Sequence, residues 1–399
     1  MMDNRVEAIT KGTLAPLVCK VVGEKTAATP SRGQAVITQW QVESIHGGWG
    51  GAVGGTALYR FTGQTEQNVL WSLVLKILYE RPGESETSPY YWKREYELYR
   101  SGLLNRLPDV GLTPPTIYGF AQFSDSCWIW MADIQDEKKS WALADYRVVS
   151  RRLGRFNGAY LCNQPIPDDV WLSDSWHCAI VPPLADTFER LDDFMQHPLA
   201  QCALPLTEKE AILSIWQERD RFCNALATLP QTFCHLDAFR RNIFHREQDS
   251  ILIDWAMAGR AAIGEELVTM VSLSIYFAEH PADFADVLDE AVFSGYIAGL
   301  RDVGWQGDTQ LARLGYCCAM VLRGLAGVQQ DLKLLVDEDQ HAQFRKMIDY
   351  EDSPTAMMEI ADNFAHVRRF RLLKMANEAR QLLEEFDENN YNSHIYSNS

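Results

Sequence analysis

Basic residues are scarce in this chain. Lys and Arg number 37 against 54 Asp and Glu, a formal net charge of −17. Binding to nucleic acid or to an anionic membrane works through clustered Lys and Arg that release counterions, so neither partner is expected. An acidic surface steers cationic small molecules instead, or simply keeps a protein in solution. Paired cysteines are also missing. The nine cysteines form no C-x-x-C pair and no Cys/His cluster at zinc spacing, which points to reduced thiols rather than a disulfide frame or a metal centre. Cys317 and Cys318 adjoin on an expected helix and point in different directions, so both read as core packing, as does Cys234. No apolar run has the length of a membrane span, because even Val69–Leu78 is interrupted by Lys76. The opening residues MMDNRVEAITKG lack a basic stretch followed by an apolar one, so no secretory signal is read and the cytoplasm is the expected location. Nor is there a G-x-x-x-x-G-K-[ST] phosphate loop.

What is present is ordinary globular composition, 47% hydrophobic and 23% charged. At 399 residues the chain is too long for one compact core, so two lobes are expected. Residues 1–34 are weakly patterned and read as an extension, with a loop at TAATPSRGQ. Ala35–Ile45 is rich in β-formers and predicts a first strand. The glycine-dense HGGWGGAVGG follows, where Gly48, Gly50, Gly51, Gly54 and Gly55 would let backbone amides approach a phosphate without Cβ obstruction. The strict G-x-G-x-x-G spacing fails at Val53, so a flexible hairpin is the competing reading. Trp71–Leu78 predicts an apolar strand with Lys76 inside it, and an ammonium in such a run is costly unless it finds an anion. Two more strands are expected between Phe120 and Met131. From Trp141 the pattern turns helical, with helices expected over 184–197, 206–228, 281–304, 308–334 and 354–386, and a frayed polar tail over 389–399.

The segment Cys234–Trp255 carries the chemistry. It reads as a turn bearing His235, Asp237 and Asn242, then two short strands around Arg246–Ser250, the second delivering Asp254. Asp237 precedes Asn242 by five residues and Asp254 follows by twelve, an arrangement offering one base and two hard oxygen ligands. Mg²⁺ on a polyphosphate suits that donor set, since it keeps waters and takes its remaining oxygens from phosphate. A lone Asp in a turn more often caps backbone, so the joint spacing matters more than any one residue.

H-x-D-x-x-x-x-N followed by Ile253-Asp254-Trp255 resembles the catalytic loop and metal-binding segment of the aminoglycoside phosphotransferase and choline kinase group. His235-Leu236-Asp237 stands where that group has HGD. The resemblance covers roughly residues 35–280 and implies an α+β, two-lobed protein-kinase-like fold. A small antiparallel-sheet lobe would span 35–132, and a larger helical lobe 133–388. It also implies roles: Asp237 orients or deprotonates an acceptor hydroxyl, Asn242 and Asp254 hold Mg²⁺, and Lys76 clamps the phosphates of ATP with Glu95 as its partner. Glu95 is chosen because REYELY resembles the family's helix, whereas Glu97 faces elsewhere on the wheel. The nucleotide hinge would fall at Met131-Ala132-Asp133-Ile134, through backbone groups.

Several positions depart from relatives of the wider fold. Phe239 stands where protein kinases carry a lysine, and neither D-F-G nor A-P-E follows Asp254, which argues against a protein kinase. Arg240 and Arg241 lie inside the loop and would either neutralise phosphate or bind a carboxylate elsewhere. Glu265 and Glu266, in GEEL, would either brace the loop or suit a helix N-terminus. The expected function is ATP- and Mg²⁺-dependent phosphotransfer to a hydroxyl of a small molecule, of aminoglycoside or amino-alcohol kind if the acidic surface steers it. The competing readings are a catalytically silent nucleotide-binding regulatory module and a metal-dependent hydrolase.

Overall fold

Alternation of period two builds the first lobe. The computed structural model describes residues 4–26, 35–45, 55–348 and 350–397. Five strands, β1 (Ile37–Ile45), β2 (Thr56–Thr65), β3 (Leu70–Tyr79), β4 (Ile117–Gln122) and β5 (Ser126–Ala132), form one antiparallel sheet in the order β1-β2-β3-β5-β4. On β3 the side chains of Trp71, Leu73, Leu75 and Ile77 enter one apolar cluster, while Val74 and Leu78 enter the main core of the molecule. Lys76 shares the parity of Val74 and Leu78, so the pleat turns it towards the larger lobe.

The outer face of the sheet is covered by a helix the sequence pattern hid. Helix α1 (Lys11–Thr26) buries Leu14, Val18 and Val21 against it. Its apolar stripe is one residue wide, and Pro16 removes a helical hydrogen bond, so periodicity alone left 1–34 unassigned. Lys20 Nζ donates to the Tyr118 carbonyl at 2.5 Å, and the Tyr118 hydroxyl donates to Glu24 at 2.8 Å.

Helix α2 (Arg94–Ser101) packs under the sheet and is shorter than the expected Tyr91–Leu104, because Gly102 takes the left-handed conformation, φ 71°, and ends it. The larger lobe is helical, built on α3 (Leu143–Cys162), α4 (Ala285–Asp302), α5 (Thr309–Val336), α6 (Ala356–Arg368) and α7 (Met375–Ser397). Helices α3 and α4 cross at backbone distance: a Cβ on Gly154 would lie 2.1 Å from the Tyr296 carbonyl oxygen, and one on Gly299 2.0 Å from that of Arg151. Helix α5 is long and apolar enough to cross a membrane by length and composition, yet 78% of its apolar window is buried inside the protein, as befits a central core helix.

The longest expected helices divide. The span 206–228 breaks into Leu206–Gln217 and Arg219–Thr228, 184–197 into Ala185–Glu189 and Leu191–Phe194, and 354–386 is interrupted by a π-helical turn, Arg369–Lys374. The last helix continues to Ser397, through the residues expected as a tail; propagation of an existing helix costs little per residue. Two short antiparallel pairs frame the central loop: β6 (Gln231–Cys234) with β9 (Gly259–Ala262), and β7 (Ile243–His245) with β8 (Ser250–Leu252).

Candidate active site

Lys76, from the sheet, and Asp254, from the larger lobe, meet with Nζ 3.0 Å from Oδ1, 178 residues apart in sequence. Glu95, from α2, stands behind the lysine with Oε2 2.6 Å from Nζ. Lys76 and Glu95 have side chains only 9% and 1% exposed, whereas Asp254 is 40% exposed. Burial disfavours the ammonium, but the Asp254 and Glu95 carboxylates outweigh it and raise the lysine above its ordinary range. Burial likewise pushes Asp254 up, and Lys76 overrides it to leave the carboxyl below the usual value. Burial, working against Lys76, raises the Glu95 carboxyl, and Asp254 is the most exposed of the three.

Backbone strain aims the opposite wall. Leu236 and Asp254 both adopt left-handed conformations, φ 65° and 63°, which cost a non-glycine residue roughly 1–3 kcal/mol unless their surroundings fix them. Glu266 fixes the first: its Oε2 accepts from the His235 amide at 2.7 Å and its Oε1 from the Leu236 amide at 3.0 Å. His235 fixes the second. Its Nδ1 accepts from the Asp237 amide at 3.2 Å and its Nε2 lies 2.9 Å from the Ile253 carbonyl, a pairing satisfied by the neutral Nε2–H tautomer. Burial lowers that imidazole to about 4, so it stays neutral and ties the loop to the strand end that carries Asp254.

Asn242 points its Nδ2 at Asp237, donating to the backbone carbonyl at 3.0 Å and to Oδ2 at 2.8 Å. Both amide protons are thereby spent, and the oxygen is the group left for another partner. Burial pushes the Asp237 carboxyl up to about 7, against the lowering influence of Arg323. A carboxylate poised there takes up and releases a proton near neutrality. Arg323, on α5, places Nη2 3.6 Å from Asp237 Oδ1 and lies over Trp176, 5.1 Å from the ring centre. Tyr90 meets Trp176 edge-on at 5.6 Å.

The sequence thus named Lys76, Glu95, Asp237, Asn242 and Asp254, which the fold brings together. Met131 and Asp133 fall at the end of β5 and just beyond it, where Arg60 Nε holds the Asp133 carboxylate at 3.0 Å. Gly48, Gly50, Gly51 and Gly54 lie outside the described residues. Arg240 and Arg241 both take Glu279, at 3.1 and 3.0 Å, and Arg240 also reaches Asp136; each is engaged with carboxylates of the larger lobe. Glu265 pairs at 2.6 Å with buried His177, and Glu266 braces the loop as described, so both do more than favour a helix N-terminus.

Two residues went unread. Arg94 is fully buried and donates to four carbonyls: Trp171 at 2.7 Å, Pro89 at 3.0 Å, Ala256 at 2.8 Å and Ser88 at 2.7 Å. It clips α2 to the turn after Asp254. Its signal was a basic residue beside Glu95 in a helix whose other face packs. Arg323 gave no signal, sitting in a helix whose inward face is not readable from period alone.

Sheet lobe, helical lobe and the charged groups between them make this a two-lobed protein-kinase-like fold. A family model described as the phosphotransferase enzyme family matches residues 175–306, the stretch holding Asp237, Asn242 and Asp254. No curated protein matches the chain. Among solved structures, a choline kinase from Cryptosporidium parvum Iowa II aligns with a TM-score of 0.52 at 11% identity, over 94% of this chain and 97% of that one. An amicoumacin kinase in complex with AMP-PNP, Ca²⁺ and Ami aligns with a TM-score of 0.50 at 13% identity, over 90% and 96%. At such identities the likeness is one of fold, and it bears out the resemblance to the aminoglycoside phosphotransferase and choline kinase group.

Proposed function

We propose that the protein transfers the γ-phosphate of ATP to a hydroxyl of a small molecule. The observation that carries this reading is the contact of Lys76 with both Glu95 and Asp254, opposite an Asp237 already oriented by Asn242. In that scheme Lys76 exchanges Asp254 for nucleotide phosphate oxygens, and Glu95 holds the ammonium in place. The backbone at Met131 and Asp133 receives the base. Asp237 orients the acceptor hydroxyl and takes its proton as the new P–O bond forms and the bond to ADP breaks.

The donor set fits Mg²⁺: the carboxylate of Asp254 and the unspent amide oxygen of Asn242 are hard oxygen ligands and leave room for phosphate and water. When bound, the ion would neutralise charge on the transferring phosphoryl group. The remaining contribution of the protein is positioning and charge, since this reaction asks little covalent work of it. In this reading the phosphates take the Lys76 and Asp254 groups and the acceptor sits beside Arg323, the other charged group next to Asp237.

The test is ADP release measured across sugars, amino alcohols, aminoglycosides and hydroxy acids. Acceptor-dependent release that falls by about 10²–10⁴-fold in Asp237→Ala is the expected result. Nucleotide binding with no turnover on any acceptor, unchanged by that substitution, would favour a silent regulatory module instead.

A further inference from the structure

We propose that the acceptor carries an anionic group, a carboxylate or a phosphate, close to its reactive hydroxyl, and that Arg323 binds it. The inference rests on the phosphotransfer reading and names the substrate class of that site.

Arg323 is the cationic side chain at the acceptor side of Asp237, and its donors are underused. Its Nη2 sits 3.6 Å from Asp237 Oδ1, within ion-pair range but beyond a hydrogen bond, and Nη1 has no hydrogen-bond partner among the described residues. The side chain is 14% exposed. A guanidinium offers five donors in a rigid fork, and leaving them unmet in a largely buried place is costly. An oxyanion meets that fork with two parallel charge-assisted bonds.

The surroundings disfavour a cation. Arg323 already covers the Trp176 ring, the aromatic face an ammonium would seek. The charged groups acting on Asp237 are Arg323, Asp254 and Lys76, and the one carboxylate among them belongs to the phosphate side. Behind Arg323 stands a second guanidinium. Arg371, 5% exposed, packs over the next turn of α5, where a Cβ on Gly327 would lie 3.3 Å from its Nη1. Its Nη2 donates to the Ser272 carbonyl at 2.9 Å, and Asp331, bonded by the Tyr276 hydroxyl at 3.0 Å, is the carboxylate on that side. Arg323 and Arg371 thus set two guanidinium groups against the carboxylates of Asp237 and Asp331, and charges beyond about 8–10 Å, which make up most of the net −17, are screened.

The experiment compares kcat and KM, with Mg·ATP, for glycerate against glycerol, gluconate against glucose, the corresponding sugar and glycerol phosphates, and ethanolamine. In parallel, malonate and inorganic phosphate are titrated calorimetrically into the Mg·AMP-PNP complex. The expected result is a preference of about 100-fold in kcat/KM for the anionic members. Arg323→Gln removes it mainly through KM, Arg323→Lys keeps part of it, and at least one titrated anion binds the wild type but not Arg323→Gln. The carboxylate and phosphate arms then tell which oxyanion is favoured. Preference for glycerol, glucose or ethanolamine overturns the proposal while leaving phosphotransfer intact. So does absence of anion binding in a complex that holds Mg·AMP-PNP, or an equal loss of kcat for every acceptor in Arg323→Gln, which would mark Arg323 as tuning Asp237 alone. Failure to bind Mg·AMP-PNP overturns the phosphotransfer reading itself.

Discussion

Glu266 is buried with no cation among its hydrogen-bond partners in the described residues, and the donors that hold it are the His235 and Leu236 backbone amides and Asn157 Nδ2. Burial raises its carboxyl, while the His235 and Leu236 amides pull in the other direction. Replacing it with Gln leaves one oxygen acceptor for two amides and turns an N–H₂ towards one of them. The cost expected from an unsatisfied buried donor is about 1–3 kcal/mol, read by urea denaturation. Because Leu236 is held in a left-handed conformation, the loop should also relax, lowering kcat more than the KM for ATP. Arg94 makes a parallel case. Arg94→Met would strand four carbonyls and should destabilise the protein by about 3–5 kcal/mol; Arg94→Lys, with three donors at one point instead of a fork, should recover only part of that. At this scale the sequence was legible where the reaction itself demands a short spacing, as from Asp237 to Asn242. It was illegible where a side chain acts on a backbone distant in sequence, as Arg94 does on Ala256.

Helix α5 and the π-helical turn between α6 and α7 show what a whole element contributes. The turn adds a residue to the helical register and brings Arg368 and Arg371 inward, both buried. Facing them from α5 is Asp331, raised to about 7 by burial against the lowering effect of Arg371. An unfolded aspartate titrates near 4, so the folded state binds the extra proton between these values. Stability from this group is full below about pH 4 and is lost as pH rises through about 7. Asp331→Asn should flatten that slope. Denaturation of the two proteins at pH 5 and pH 8 checks it, since other groups cancel in the difference; a wild type that loses a few kcal/mol more than the variant on going to pH 8 is the expected outcome. Elements with a strong period, such as α5 and β3, were placed from the sequence within about two residues. Helix α1 was not, because four buried positions, Leu14, Ala15, Val18 and Val21, with a proline among them make a weak signal, and the surface they cover exists only once the sheet has formed.

At the scale of the molecule, the two lobes share one apolar core that takes in Val74, Leu78, Ile129 and Met131 of the sheet, and the Lys76 trio and Arg94 with its four carbonyls add polar contacts to it. Both draw on α2, so this helix couples the sheet to the turn after Asp254. The meeting of Lys76 and Asp254 was legible as a pair of distant motifs; the cluster of Tyr90, Trp176 and Arg323 beside Asp237 was not, since tertiary packing alone assembles it. The net charge of −17 suggested a cationic substrate, whereas the fold sets the guanidinium of Arg323 beside Asp237.

The central claim is that Lys76 and Asp254 are the two halves of one metal-nucleotide site. Calorimetric titration of AMP-PNP with and without Mg²⁺, into wild type, Lys76→Met and Asp254→Asn, tests it most directly. The account predicts Mg²⁺-dependent binding by the wild type, a loss of affinity in Lys76→Met, and loss of the Mg²⁺ dependence in Asp254→Asn. Equal binding by all three proteins, or none by the wild type, would contradict it.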